Sequence, residues 1–220
     1  MMAGVKNVGE RRMELHSEKG ILAGPGILSG LFGAQKNVPP PDAFEHRQAS
    51  PEVAGRAGEE EVKFHLKYLP PGYRQLHRLR LKAKGMPPAE IDHVVIGPNG
   101  IFVIETKNWA GRIIASPQGW RQVRDGREEG VESPGAQLWR HIAVVKKAVE
   151  ESVRVSCKLT MHGIIVVANR RAVVEGQDDT YPVLKAEEIA RHITTQPGAN
   201  TLGTDVVADM LLRHRVERRS

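Results

Sequence analysis

The sequence predicts an α/β protein in which a mixed β-sheet is flanked by helices, and three observations carry that reading. Two β-rich runs, residues 91–96 and 101–106, bracket Gly97-Pro98-Asn99-Gly100, which is the pattern of a β-hairpin. Residues 163–168 (GIIVVA) form a short unbroken apolar run, as expected of a central strand covered on both faces. Segments before and between these runs carry apolar residues at helical spacing. Helix, strands, helix, strand and terminal helices in that order describe two helical layers around one sheet.

Taken along the chain, residues 1–54 read as a leader. A Gly-rich stretch over 21–34 is followed by Pro39-Pro40-Pro41, which favours an extended chain and builds no core. That stretch is too short and too interrupted to span a bilayer, and mixed charge precedes it, so neither a membrane span nor an export signal is expected. The domain proper is expected over 55–220. A helix starts at Gly58, with Glu59, Glu60 and Glu61 in its first turn, where the helix dipole favours acids. Val62, Leu66 and Leu69 give it an apolar face, and Pro70-Pro71-Gly72 ends it. Residues 74–82 alternate as a strand with one exposed face, and residues 113–114 and 120–123 are two further short strands. Ser133 as N-cap and Pro134 at the first helical position open a second helix, whose inner face is Leu138, Ile142, Val145 and Val149. Residues 186–194 and 204–216 are expected to be terminal helices.

A chain of 220 residues can bury a sizeable core without disulfides, and its 40% hydrophobic and 26% charged residues are ordinary for a globular protein. The single cysteine, Cys157, excludes an internal disulfide framework and points to a reducing, cytoplasmic setting. The net charge of +6 is unevenly spread: residues 1–54 hold six bases and six acids, so all of it lies on 55–220. A basic excess confined to the folded part suits a polyanionic partner.

The chemistry concentrates at the far ends of the hairpin strands, at Asp92 and at Glu105-Thr106-Lys107. A charge in a hydrophobic strand is costly unless it is paired or bound to a metal. A two-residue loop at Pro98-Asn99 opposes Asp92 to Glu105. A loop centred on Asn99-Gly100 opposes Asp92 to Lys107, with Glu105 on the same face. A three-residue loop separates them, because a one-residue slip turns every side chain to the other face. Opposed residues have Cβ atoms ~4.5–5.5 Å apart. Two carboxylates that close repel each other and invite a divalent cation, and oxygen-only ligands suit Mg2+ or Mn2+. Lys107, two residues beyond Glu105, shares its face and could orient the nucleophile or stabilise charge on a phosphate.

Asp92 with Glu105-Thr106-Lys107 resembles the PD-(D/E)xK nuclease superfamily, and more closely the NERD (nuclease-related) domain. The matching stretches are Gly58-Glu59-Glu60-Glu61-Val62, residues 91–111 (IDHVVIGPNGIFVIETKNWAG), Trp120 and Ser133-Pro134-Gly135-Ala136-Gln137. Ile91 stands where the superfamily has proline, and Ser133 where the family usually has asparagine. The resemblance implies a restriction-endonuclease-like core and metal-dependent DNA cleavage, with Asp92 and Glu105 as metal ligands. It also implies a helix-borne glutamate in the site and a supporting glutamine, Gln137. Among the three helix acids Glu59 is favoured, because it lies three residues before Val62 and seven before Leu66, on the apolar face. The alternative for Glu59 is a first-turn dipole partner. The nucleic-acid partner expected is DNA rather than RNA, no membrane is implied, and a homodimer is compatible with the superfamily.

Other residues have competing readings. His93 points away from Asp92 and reads as a core histidine, and His141 as a surface one. Trp109, Trp120 and Trp139 read chiefly as core, with stacking on unpaired bases as the alternative. Arg112, Arg121, Arg124, Arg127 and Arg140 are candidate phosphate contacts, or else a solvated basic face. The rival functions are a non-catalytic nucleic-acid-binding module and an interaction protein recruited through residues 1–54.

Overall fold

The structure, a computed structural model, describes residues 50–217. Most of the expected leader, and residues 218–220, lie outside the described residues. The elements are α1 (Pro51–Leu66), β1 (Arg74–Leu81), β2 (Ala89–Gly97), β3 (Gly100–Lys107), β4 (Arg112–Ala115), β5 (Trp120–Arg124) and β6 (Arg127–Val131), followed by α2 (Gly135–Ser152), β7 (Met161–Val167), β8 (Val173–Gly176), β9 (Val183–Lys185), α3 (Ile189–Thr195) and α4 (Thr204–Arg213). Among the described residues no helix is long and apolar enough to cross a membrane.

The first helix begins seven residues before the expected Gly58. Ser50 caps it, its hydroxyl accepting the Val53 N–H at 3.3 Å, and Pro51 fills the first turn, where its missing N–H costs nothing. Glu59, Glu60 and Glu61 therefore sit mid-helix. At the second helix the similar Ser133-Pro134 pair stands one residue outside: Ser133 Oγ accepts the Gly135 N–H at 3.1 Å and the helix starts at Gly135.

A five-stranded mixed sheet has the order β1-β2-β3-β7-β9, with β1, β2 and β3 antiparallel and β7 parallel to both β3 and β9. A second sheet, β6-β5-β4-β8, joins β4 to β8 in parallel. The terminal residues close part of the outer edge of β1: Arg215 bridges Leu81, and Val216 N–H donates to Arg80 O at 2.9 Å. Strands β6, β8 and β9 are additions to the sequence-based expectation. The expected helix over 186–194 resolves into a 3-10 turn (Ala186–Glu188) leading into α3.

Two cores lie on the two faces of the first sheet. On one, α2 and α4 bury Leu138, Val145, Val207 and Leu211 against Ile101, Val103 and Ile165. On the other, α1 and α3 bury Val62, Leu66, Ile189 and Ile193 against Phe102, Ile104 and Ile164. Burial of each such side chain stabilises by about 1.5–3 kcal/mol.

The hairpin register is the first of the three alternatives: Val94 pairs with Val103, Ile96 with Ile101 and Gly97 with Gly100, leaving Pro98-Asn99 as the loop. Asn99 is pinned there, donating to Ile193 O at 2.8 Å and Gln196 O at 3.0 Å and accepting from Tyr73 OH at 3.1 Å. Gly100 has φ +137°, and a Cβ there would stand 2.5 Å from Thr160 O. A second irregularity is Arg78, a non-glycine residue at φ +51°. Around it the strands roll: Leu76 and Leu79, three apart on β1, pack against the same core, as do Ile91 and Val94 on β2. Asp92 lies inside this roll.

Gly100→Ala is expected to destabilise the fold by about 1–3 kcal/mol through backbone strain and the clash with Thr160. Urea unfolding would read this directly, and an unchanged midpoint would show that the turn tolerates a side chain.

Candidate active site

The hairpin ladder stops at His93 and Ile104. Beyond it the Asp92 side chain takes over, its Oδ2 accepting the Thr106 N–H at 2.8 Å. Glu105 is 1% exposed, on the face that α2 covers. Lys107, two residues further on, donates through Nζ to Glu105 Oε1 at 2.7 Å and to Gln137 Oε1 at 3.1 Å. Gln137 reaches the site from the first turn of α2. The structure thus brings Asp92, Glu105, Lys107 and Gln137 together at one end of the sheet.

His141, one helical turn after Gln137, is buried at 6% exposure and is not the surface histidine expected. Its Nδ1 lies 3.2 Å from Glu105 Oε2 without hydrogen-bond geometry, so both atoms remain unsatisfied. The signal for it was present: His141 extends the apolar face of α2 through Val144, Val145 and Ala148.

Glu59 faces the site from α1. Its Oε2 stands 3.3 Å from Arg78 Nε, and its carboxylate is electrostatically coupled to Asp92 and to Glu90. Glu60 pairs with Lys63, and Glu61 with Arg170 and His65, so these two turn elsewhere. More than two turns into its helix, Glu59 lies beyond the reach of the helix dipole, which removes the alternative reading of it. Burial raises its carboxyl above the usual range, and Arg78 works against that rise. Arg78 itself carried no signal in the sequence; its backbone conformation and its partner appear only in the fold.

Burial and the neighbouring Glu105 push the Asp92 carboxyl up to about 7, against the pull of the Thr106 hydrogen bond. A buried unsatisfied oxygen on Glu105 beside an aspartate that resists ionisation is a donor set suited to Mg2+ or Mn2+. Glu59 adjoins this pair but is engaged with Arg78, and among the described residues no group of three or more His, Cys, Asp or Glu side chains stands ready to hold a metal.

A cleft of about 380 Å³ opens beside Lys107 and is lined by Trp109, Glu132, Ser133, Gln137 and Arg140 among others. Arg140 makes no ion pair among the described residues. Arg112, Arg121 and Arg124 lie on the second sheet, paired with Glu175, Glu128 and Asp125 respectively. These pairs are exposed and weak, so the arginines are open to exchange of partners. Trp109 and Trp120 stack edge to face in the core, with ring centres 5.9 Å apart. Trp139 departs from the core reading, being 63% exposed. His93 is buried with its Nδ1 2.8 Å from that of His77, and burial pushes it down to about 3, so it stays neutral. That fits the core role expected of it.

The family model of the nuclease-related domain matches residues 54–168. An uncharacterized protein of Bacillus anthracis is 33% identical over 106 residues, which is 47% of this chain and 50% of that protein. The chain therefore spans about half the length of the curated relative it matches. No solved structure matches.

The raised Asp92 carboxyl has a defined effect on stability. Between 3.8, its ordinary value, and about 7, the folded state holds a proton that the unfolded state has released. Metal-free protein should therefore lose stability as pH rises across that window, by at most ~1.4 kcal/mol per pH unit. Asp92→Asn, which keeps an acceptor for Thr106, should flatten this slope and unfold at a higher temperature than wild type at pH 8. Parallel wild-type and variant melting curves from pH 4 to pH 8 would contradict the assignment.

Proposed function

The chain belongs to the nuclease-related domain family, and on that premise we propose that it is a Mg2+- or Mn2+-dependent nuclease that hydrolyses phosphodiester bonds of DNA, in preference to RNA, at the Asp92–Glu105–Lys107 site. One observation carries the reading: a buried carboxylate with an unsatisfied oxygen, an aspartate poised near neutrality and a lysine converge beside an open cleft at the end of the sheet.

Each residue has a part in that reaction. Asp92 and Glu105 hold the cation, and Glu59 assists once Arg78 yields it. A cation bound there supplies positive charge at the phosphate and a water acidified for attack. Because Asp92 must give up its proton on metal binding, affinity rises with pH through about 7. Lys107 has three N–H donors and commits two, to Glu105 and Gln137. The third is left to orient the attacking water or to meet a phosphate oxygen. Gln137 holds Lys107 from the α2 side, and His141 stands against Glu105 there. Arg140, with Arg112, Arg121 and Arg124 further out, contributes phosphate contacts that position the backbone without reading sequence.

A second reading, a non-catalytic nucleic-acid-binding module, draws on the pairing of Lys107 with Glu105 and of Arg78 with Glu59, which already offsets much of the carboxylate charge without a metal. Calorimetry with Mn2+ separates the two. The nuclease shows a site that Asp92→Ala and Glu105→Ala both weaken, and the binding module shows no carboxylate-dependent site. With supercoiled, linear and single-stranded DNA plus Mn2+ or Mg2+, Asp92→Ala and Lys107→Ala are expected to cut at least ~100-fold more slowly than wild type. Variants that cut as fast as wild type would refute the Asp92–Glu105–Lys107 assignment, and wild type that fails to cut with either cation would refute the nuclease.

A further inference from the structure

Trp139 is the one tryptophan that the fold does not use. It sits on α2 between Gln137, which faces the carboxylate site, and Arg140, which lines the cleft beside Lys107. Its 63% exposure contrasts with Trp120, which is buried and donates through Nε1 to Asp178 Oδ2 at 3.0 Å. Trp139 lines a neighbouring cleft of about 390 Å³, whose other aromatic residue is Tyr181, with Pro117 and Gly135 also in the lining. Ser133 lines both this cleft and the one beside Lys107, so the two adjoin at the start of α2.

The two clefts differ in charge. The first presents Lys107 and Arg140, which suit a phosphate. The second is aromatic and rimmed by Asp178 and Asp179, which repel a phosphate. Asp178 is already committed to Trp120 and to the N–H groups of Thr180 and Tyr181. A group that enters the second cleft from a backbone held in the first must be flat, uncharged and attached to that backbone.

We propose that Trp139 is the stacking platform for an unpaired nucleobase next to the phosphate held at the Lys107–Arg140 cleft, so that the site prefers single-stranded or unpaired nucleic acid to intact duplex. The inference rests on the nucleic-acid reading of the site and adds to it the class of substrate. A base inside a duplex is stacked on both faces and cannot reach Trp139, whereas an unpaired one can, whatever its identity.

The test uses the full chain in EDTA, so that binding is read without cleavage. The probes are a short oligodeoxythymidylate and the same strand annealed to its complement. Trp139→Ala, at an exposed position, is expected to melt as wild type does. It should weaken binding of the single strand about 10-fold or more and leave duplex binding within about 2-fold. Trp139→Phe, which keeps a stacking ring, should restore single-strand binding while losing the fluorescence quenching that the oligonucleotide produces in wild type. Equal binding of the single strand by wild type and Trp139→Ala overturns the stacking site. That result leaves the nuclease reading standing, because the latter is judged by Mn2+-dependent cleavage and its loss in Lys107→Ala. Binding of neither probe overturns the stacking site as well.

Discussion

Three carboxylates crowd the end of one sheet, and their mutual repulsion is the constraint around which the neighbouring structure is arranged. Glu105 has almost no contact with water, and Asp92 and Glu59 stand within electrostatic reach. Each has its own offset: β3 supplies Lys107 for Glu105 and the Thr106 N–H for Asp92, and β1 supplies Arg78 for Glu59. Removing Lys107 leaves the charge of the buried Glu105 uncompensated, which is far costlier than losing an exposed pair. The roll of β1 and β2 around Arg78 serves the same balance. It carries Asp92 out of the regular ladder and sets a guanidinium against Glu59, at the expense of a left-handed backbone of the kind that gathers at functional sites.

Much of this was legible in the sequence because the strand period is 2 and admits few registers. Asp92 and Glu105 could be brought together by counting alone, and the count held because Asn99 and Gly100 fix the turn. Glu59 was legible because helical spacing from Val62 and Leu66 selects it over its two acidic neighbours. His141 was not: residue type outweighed position, although the same spacing rule places it on the inner face of α2. Arg78 had no signal, since a strained backbone is imposed by packing from several elements at once.

The helix starts show how local rules depend on context. Ser50-Pro51 and Ser133-Pro134 carry the same signature, yet only at the first does the serine hydroxyl reach three residues on and cap the helix. At the second it bonds two residues on and forms a turn that delivers the chain into the helix one residue later. Strands β6 and β9 were missed for a related reason. The first is charged and largely exposed and the second is three residues long, so neither shows the alternation that marks a half-buried strand.

The short bridge between Arg215 and Leu81 has a consequence for self-association. An open strand edge is a template on which another chain can build, and natural folds guard against it. Here the last residues of the described chain occupy part of the β1 edge, and the opposite edge, β9, spans only Val183–Lys185. The sheet is thus fenced on both sides against runaway fibrous stacking, and trimming the carboxyl end would remove one of the fences.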